Sequence, residues 1–81
     1  MKYYLYILQT TDNTLYCGIA RDVQKRFQEH LSGKGAKYTR SHKPLKIVYT
    51  KEFENKSEAL KEEIRIKKLS KKEKLRLISK N

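Results

Sequence analysis

The chain has a single cysteine, Cys17, so neither an internal disulfide nor a cysteine-built zinc site can form. Beside a glycine in a strand-like stretch, Cys17 reads as a small buried residue rather than a nucleophile. Long apolar runs are missing too. The run Leu5 to Leu8 is far too short for a signal peptide or a membrane span, and acidic residues occur early. A cytoplasmic protein with no membrane partner is therefore expected. Acid is scarce overall: nine Asp and Glu stand against twenty Lys and Arg, a net charge of +11 at pH 7. Such a surface seeks polyanions, nucleic acid first. An anionic membrane ranks lower because no basic amphipathic helix carries the bulky apolar face that insertion needs. Eighty-one residues make one domain, 1–81, which buries only about 60 to 65% of its unfolded surface. A deep cleft does not fit that size, so a shallow site is expected. No repeat or linker is visible, and a monomer is the default.

What the chain does have is tyrosine, concentrated at its start. Tyr3 to Gln9 and Thr14 to Gly18 are two aromatic and β-branched runs flanking a polar turn, the pattern of a β-hairpin. Loop length decides which tyrosines share a face. A two-residue loop at Asp12-Asn13 pairs Tyr6 with Ile19 and separates Tyr6 from Tyr16. A three-residue loop, with Asn13 left-handed, pairs Leu8 with Tyr16 and Tyr6 with Gly18, so that both hydroxyls share one side. Gly18 then leaves open space in front of Tyr6. From these residues alone, the tyrosines are either core residues or the wall of a site.

Asp22 is a good N-cap for a helix in which Val23, Phe27 and Leu31 form one apolar stripe, stopped at Gly33. Arg26 and His30 stand one turn apart along the edge of that stripe, open to solvent or to a group at the hairpin face. A basic loop follows, in which Lys34, Lys37, Arg40 and Lys43 surround Tyr38 and two glycines allow close backbone approach, a mixture suited to nucleic-acid contact. It lacks the spacing of a phosphate-binding P-loop. Pro44 opens a third strand to Phe53, whose alternation is broken by Val48. Asn55 to Glu58 reads as a capping box for a helix with Ala59, Leu60, Ile64 and Ile66 inward. Glu63 falls within that stripe, whereas Glu62 points farther outward. A carboxylate against a core wants a cation, either one of the many arginines or a metal. Ser70 to Glu73 is a second capping box, opening a last helix with Leu75, Leu77 and Ile78 as its apolar contacts and many lysines as an exposed face.

Tyrosine hairpin, helix with Arg and His, third strand, helix with an inward Glu: in this order the chain resembles the GIY-YIG nuclease family, and within it the small stand-alone bacterial YhbQ-like group. The first family triplet matches Tyr4-Leu5-Tyr6 at its tyrosine, and the second matches Tyr16-Cys17-Gly18 at both ends. The family's catalytic arginine falls on Arg26, followed by His30, and its metal-binding glutamate on Glu63. Gly33 to Arg40 reproduces the stand-alone group's loop unbroken. The position after Gly18, a lysine in some nuclease relatives, is Ile19.

The resemblance implies an α+β fold, a small three-stranded antiparallel sheet flanked by helices in the order β-β-α-β-α-α. It implies Tyr6, Tyr16, Arg26, His30 and Glu63 as catalytic residues, with Glu63 holding one Mg²⁺ or Mn²⁺, weakly without substrate. Either a tyrosine, Tyr16 first, or His30 takes the proton of the attacking water. A phenol doing so needs its pKa lowered by roughly two to three units through nearby positive charge. Two functions remain open. One is a metal-dependent DNA endonuclease acting on branched, nicked or damaged DNA, as in repair or recombination. The other is a non-catalytic nucleic-acid-binding module that keeps the fold.

Overall fold

A computed structural model describes residues 1–80. In chain order the elements are β1 (Tyr3–Thr10), β2 (Leu15–Ala20), α1 (Val23–Leu31), α2 (Lys37–Ser41), β3 (Pro44–Phe53), α3 (Lys56–Lys67) and α4 (Lys71–Ser79). The strands form one antiparallel sheet in the order β2-β1-β3, giving the expected α+β architecture. The short helix α2 is an addition, lying where the sequence reads as loop. The central strand is β1, and its Leu5, Ile7 and Leu8 are fully buried.

The hairpin closes through the three-residue loop. Asn13 adopts φ 63°, the left-handed conformation that Asn tolerates, and Thr10 N donates to the Thr14 carbonyl at 2.9 Å. Tyr6 therefore pairs with Gly18 and Leu8 with Tyr16. The interruption at Val48 has a structural cause as well. Ile7 pairs with Tyr49 but Leu8 pairs with Ile47, so Val48 is the extra residue of a β-bulge. A second shift, Gln9 with Lys46 but Thr10 with Pro44, skips Leu45 and leaves it exposed rather than inward.

Alternation gives the sheet two distinct faces. Leu5, Ile7, Cys17 and Tyr49 form one, and Ile66 of α3 completes their cluster, with Leu77 and Ile78 of α4 packed against it. Tyr6, Tyr16 and Gly18 belong to the other, where α1 lies. The inward side of α1 keeps only part of the stripe that hydropathy marks: Val23 and Phe27 are half-buried, Leu31 is exposed and His30 is the buried residue. On α3, too, Leu60 and Ile64 are exposed, while Ala59 and Ile66 are buried with Glu62 and Glu63 between them. Residues 59, 62, 63 and 66 recur at helical spacing, so the two glutamates share the inner face. Glu62 does not point outward: its side chain is 14% exposed against 16% for Glu63.

The helix ends follow from capping. Asp22, Asn55 and Ser70 each accept a backbone N–H three residues on. Only Ser70 completes a reciprocal box, with Glu73; Glu58 instead pairs with Lys61 at 3.7 Å. Among the described residues, no helix is long and apolar enough to cross a membrane.

Candidate active site

Strand alternation delivers Tyr6 from β1 and Tyr16 from β2 to the face under α1, and helical spacing delivers Arg26 and His30 from above. Tyr6 and Tyr16 lie 6.4 Å apart between ring centroids, and His30 stands 5.9 Å from the first and 5.3 Å from the second. Tyr6 Oη is 2.9 Å from His30 Nε2. Four of the five expected catalytic residues therefore meet, since the Arg26 guanidinium and the Tyr6 hydroxyl act on each other as well.

The space expected in front of Gly18 is not open. A Cβ built there would lie 2.5 Å from Tyr6 Oη, so the Tyr6 ring itself occupies the gap. Tyr6 is only 1% exposed, and Tyr16 is the half-buried phenol that solvent reaches. Burial pushes the Tyr6 hydroxyl up to about 12, although Arg26 beside it pulls the other way. Tyr6 thus holds its proton at neutral pH, contrary to the lowering that a phenolic base requires. His30 is shifted down, first by burial and then by the Arg26 charge, which favours the neutral imidazole. Arg26 pairs with Glu29 at 3.0 Å and borders a shallow open depression that Lys2, Arg21 and Lys25 also line.

The basic segment packs on the same side. Its Lys34, Lys37, Arg40 and Lys43 are all exposed. Tyr38 is 37% exposed and also stacks within the protein, 5.7 Å from Tyr16 at 23° and 4.2 Å from His42 at 20°. His42 in turn pairs with Asp12 of the hairpin turn at 2.6 Å. Thr10 first, then His42, hold the Asp12 carboxyl down at about 2.

Glu63 is placed differently. It lies on α3, across the sheet from the tyrosines, because Cys17 faces that helix and adjacent strand residues point to opposite sides. Its carboxylate raises the Cys17 thiol, already pushed to about 11 chiefly by burial, and its ion-pair partner is Lys67 at 3.4 Å. Glu62 turns toward the far edge, to Arg65 at 2.7 Å and to Lys51 of β3 at 3.9 Å. Of the pair, Glu63 is the carboxylate next to β2. Among the described residues, no group of three or more His, Cys, Asp or Glu side chains is gathered to hold a metal.

Three contributors escape a reading of the sequence. Thr39 is buried against His30 Nδ1 at 2.7 Å, Gly35 packs its backbone on the same imidazole, and His42 extends the stack. Thr39 follows His30 by nine residues through a glycine-containing turn, which no periodicity flags. The one signal was the unbroken loop from Gly33 to Arg40, and its charges drew attention away from its threonine.

Comparison with known proteins shows the family and the fold. The chain is 59% identical over 68 residues to a UPF0213 protein of Cupriavidus necator, covering 84% of this chain and 74% of that one. It is 49% identical to a UPF0213 protein of Staphylococcus saprophyticus, covering 96% and 95%. Two solution NMR structures are similar. One is a UPF0213 protein of Bacillus halodurans, with 44% identity, TM-score 0.63 and coverage of 98% and 84%; the other is a protein of E. faecalis, with 36%, 0.67, 99% and 85%. The family model described as the GIY-YIG catalytic domain matches residues 2–76, and the chain belongs to the GIY-YIG family.

Proposed function

We propose that the protein is a metal-dependent endonuclease that hydrolyses phosphodiester bonds in DNA, with Tyr16 and Arg26 at the reacting phosphate and Tyr6 and His30 behind them. The observation that supports this most is the single cluster of two phenols, an imidazole and a guanidinium bordered by an exposed basic segment. Hydrolysis adds a water oxygen to phosphorus and breaks the bond to the leaving sugar oxygen, and the water's proton is relayed through Tyr16 or His30 to that leaving oxygen. Arg26, permanently charged and fork-shaped, grips the non-bridging oxygens and offsets the charge that grows on them. Tyr16, the accessible phenol, orients the water, while Tyr6 holds the guanidinium from below. Lys34, Lys37, Arg40 and Lys43 neutralise flanking phosphates.

The donor set fits a sparse metal site. Mg²⁺ and Mn²⁺ accept one or two carboxylates and fill their shell with waters and substrate oxygens, and Glu63 is a largely buried carboxylate with one ion-pair partner among the described residues. When bound, the ion adds positive charge at the phosphate oxygens and makes a coordinated water more acidic. Tyr16 belongs to β2, an outer strand, and Glu63 acts on Cys17 of the same strand, so this reading requires the phosphate and the metal to meet around that strand's edge. A non-catalytic nucleic-acid-binding module is the second reading, favoured by the position of Glu63 across the sheet from Tyr16.

Labelled single-stranded, duplex, nicked and branched DNA, incubated with Mg²⁺, Mn²⁺ or EDTA, separates the two. Cleavage abolished by EDTA and lowered about 100-fold or more in Arg26→Ala and Glu63→Ala, with binding retained, is the expected outcome. Binding without cleavage of any substrate leaves the second reading standing, and full activity in Glu63→Ala removes the metal assignment.

A further inference from the structure

The basic segment after α1 does more than face solvent, because two of its residues close on His30 from behind. Gly35 approaches so tightly that any Cβ would overlap His30 Nδ1 and lie 2.8 Å from its Cγ. Thr39, 3% exposed, puts Oγ1 2.7 Å from the same Nδ1 and 2.9 Å from the Ala36 carbonyl oxygen. A hydroxyl has one proton, and a carbonyl can only accept. The Thr39 proton therefore goes to Ala36, and Thr39 Oγ1 is left as an acceptor for His30.

We infer that Thr39 is a positioning residue that fixes His30 as the tautomer protonated at Nδ1, so that Nε2 is bare and receives the Tyr6 hydroxyl proton. Direction then passes down the whole chain of bonds. Tyr6 donates to His30 Nε2, His30 donates from Nδ1 to Thr39 Oγ1, and Thr39 donates to Ala36, while the Arg26 guanidinium acts on the Tyr6 oxygen. The opposite tautomer would put an N–H against Tyr6 Oη, where it competes with the guanidinium for the same oxygen. It would also leave Thr39 facing two acceptors with a single proton. One buried hydrogen bond selects between the tautomers of a neutral imidazole, and the identity of the second partner decides what the first nitrogen can do. Among the described residues, no buried side-chain nitrogen or oxygen lacks a hydrogen-bond partner.

This inference rests on the proposed function for its catalytic consequence but not for its structural content. Nitrogen-15 NMR of histidine-labelled protein near neutral pH reads both imidazole nitrogens directly. His42→Asn identifies the His30 signals, the chain having two histidines. The expected spectrum has Nδ1 in the protonated range and Nε2 in the unprotonated range; the reverse overturns the inference in the unmodified protein. In Thr39→Val the Nδ1–H tautomer is expected to be lost, and cleavage to fall about 10- to 100-fold in kcat with KM retained, as when the outer partner of a functional imidazole is removed. Thr39→Ser, which keeps the acceptor, is expected to restore both. A Thr39→Val protein that folds and keeps the tautomer also overturns it, and should that variant unfold, the spectra of the wild type and Thr39→Ser decide. If the wild type cuts no DNA but shows the expected tautomer, the proposed function fails and the assignment of Thr39 stands.

Discussion

At Gly18 the absence of a side chain is what lets Tyr6 lie flat across β2. Alanine is ordinarily tolerated in a strand at least as well as glycine. Here its methyl would stand 2.5 Å from Oη and 2.7 Å from Cζ of a ring that α1 covers and that has nowhere to retreat. Gly18→Ala is expected to cost about 1 to 3 kcal/mol in urea unfolding and to break the Tyr6–His30 bond, an overpacking penalty that outweighs the entropic gain. A neutral or stabilising effect would show that the ring moves freely. His30 makes a second demand. Tyr6, Thr39 and Gly35 enclose it, and Arg26 and Glu29 are the charges that act on it, with Arg26 outweighing Glu29. Its folded pKa lies below the ordinary 6.5, so on acidification the unfolded chain takes up a proton before the folded one does, and stability falls. The Tm should therefore drop from about pH 7 to about pH 5, and His30→Gln should flatten that drop. Asp12, held at about 2, titrates below this window.

Elements here are held by their ends as much as by their faces. Helix α4 has no fully buried residue, and Leu75 is nearly half exposed, so the reciprocal box between Ser70 and Glu73 matters to its existence. Ser70→Ala is expected to cost about 1 kcal/mol, and its hydrogen-exchange protection should fall first in α4, ahead of the sheet. Capping and turns were also what the sequence made most legible. Asn13 tolerates the left-handed conformation that a three-residue loop needs, and that alone set the register bringing Tyr6 and Tyr16 together. At Val48 the broken alternation marked an irregularity without showing that it is a bulge. Helix faces were less legible because hydropathy does not know what lies opposite. The stripe through Leu31 lost to His30, whose ring finds two hydrogen-bond partners under α1; Leu60 and Ile64 lost to Glu62 and Glu63, whose Arg65, Lys51 and Lys67 partners let carboxylates sit inward. Helix α2 was invisible because five residues after a glycine-containing turn carry no periodicity.

Across the whole molecule, a net charge of +11 is carried on a body of only 30 × 28 × 20 Å, so some positive potential faces nucleic acid from any direction. What separates a specific footprint from this background is where the unneutralised cations lie relative to Arg26. Lys2 is spent on Glu52 and Glu54, and Lys67 on Glu63, whereas Lys34, Lys37, Arg40 and Lys43 have no ion pair among the described residues and sit on the segment that packs against the tyrosines. If that segment tracks the DNA backbone, each contacted phosphate releases about 0.9 of a condensed counterion, and the logarithm of affinity falls with the logarithm of salt concentration in proportion. Replacing those four residues by alanine should reduce the slope by about 3 to 4, read by fluorescence anisotropy of a labelled duplex over a range of salt concentrations. Replacing Lys72 and Lys80 of the α4 region, exposed and beyond the opposite face of the sheet, should leave it nearly unchanged. Equal losses from both sets would mean that the charge acts only as a diffuse field, and the segment would then keep its role in holding His30 while losing the one in holding DNA.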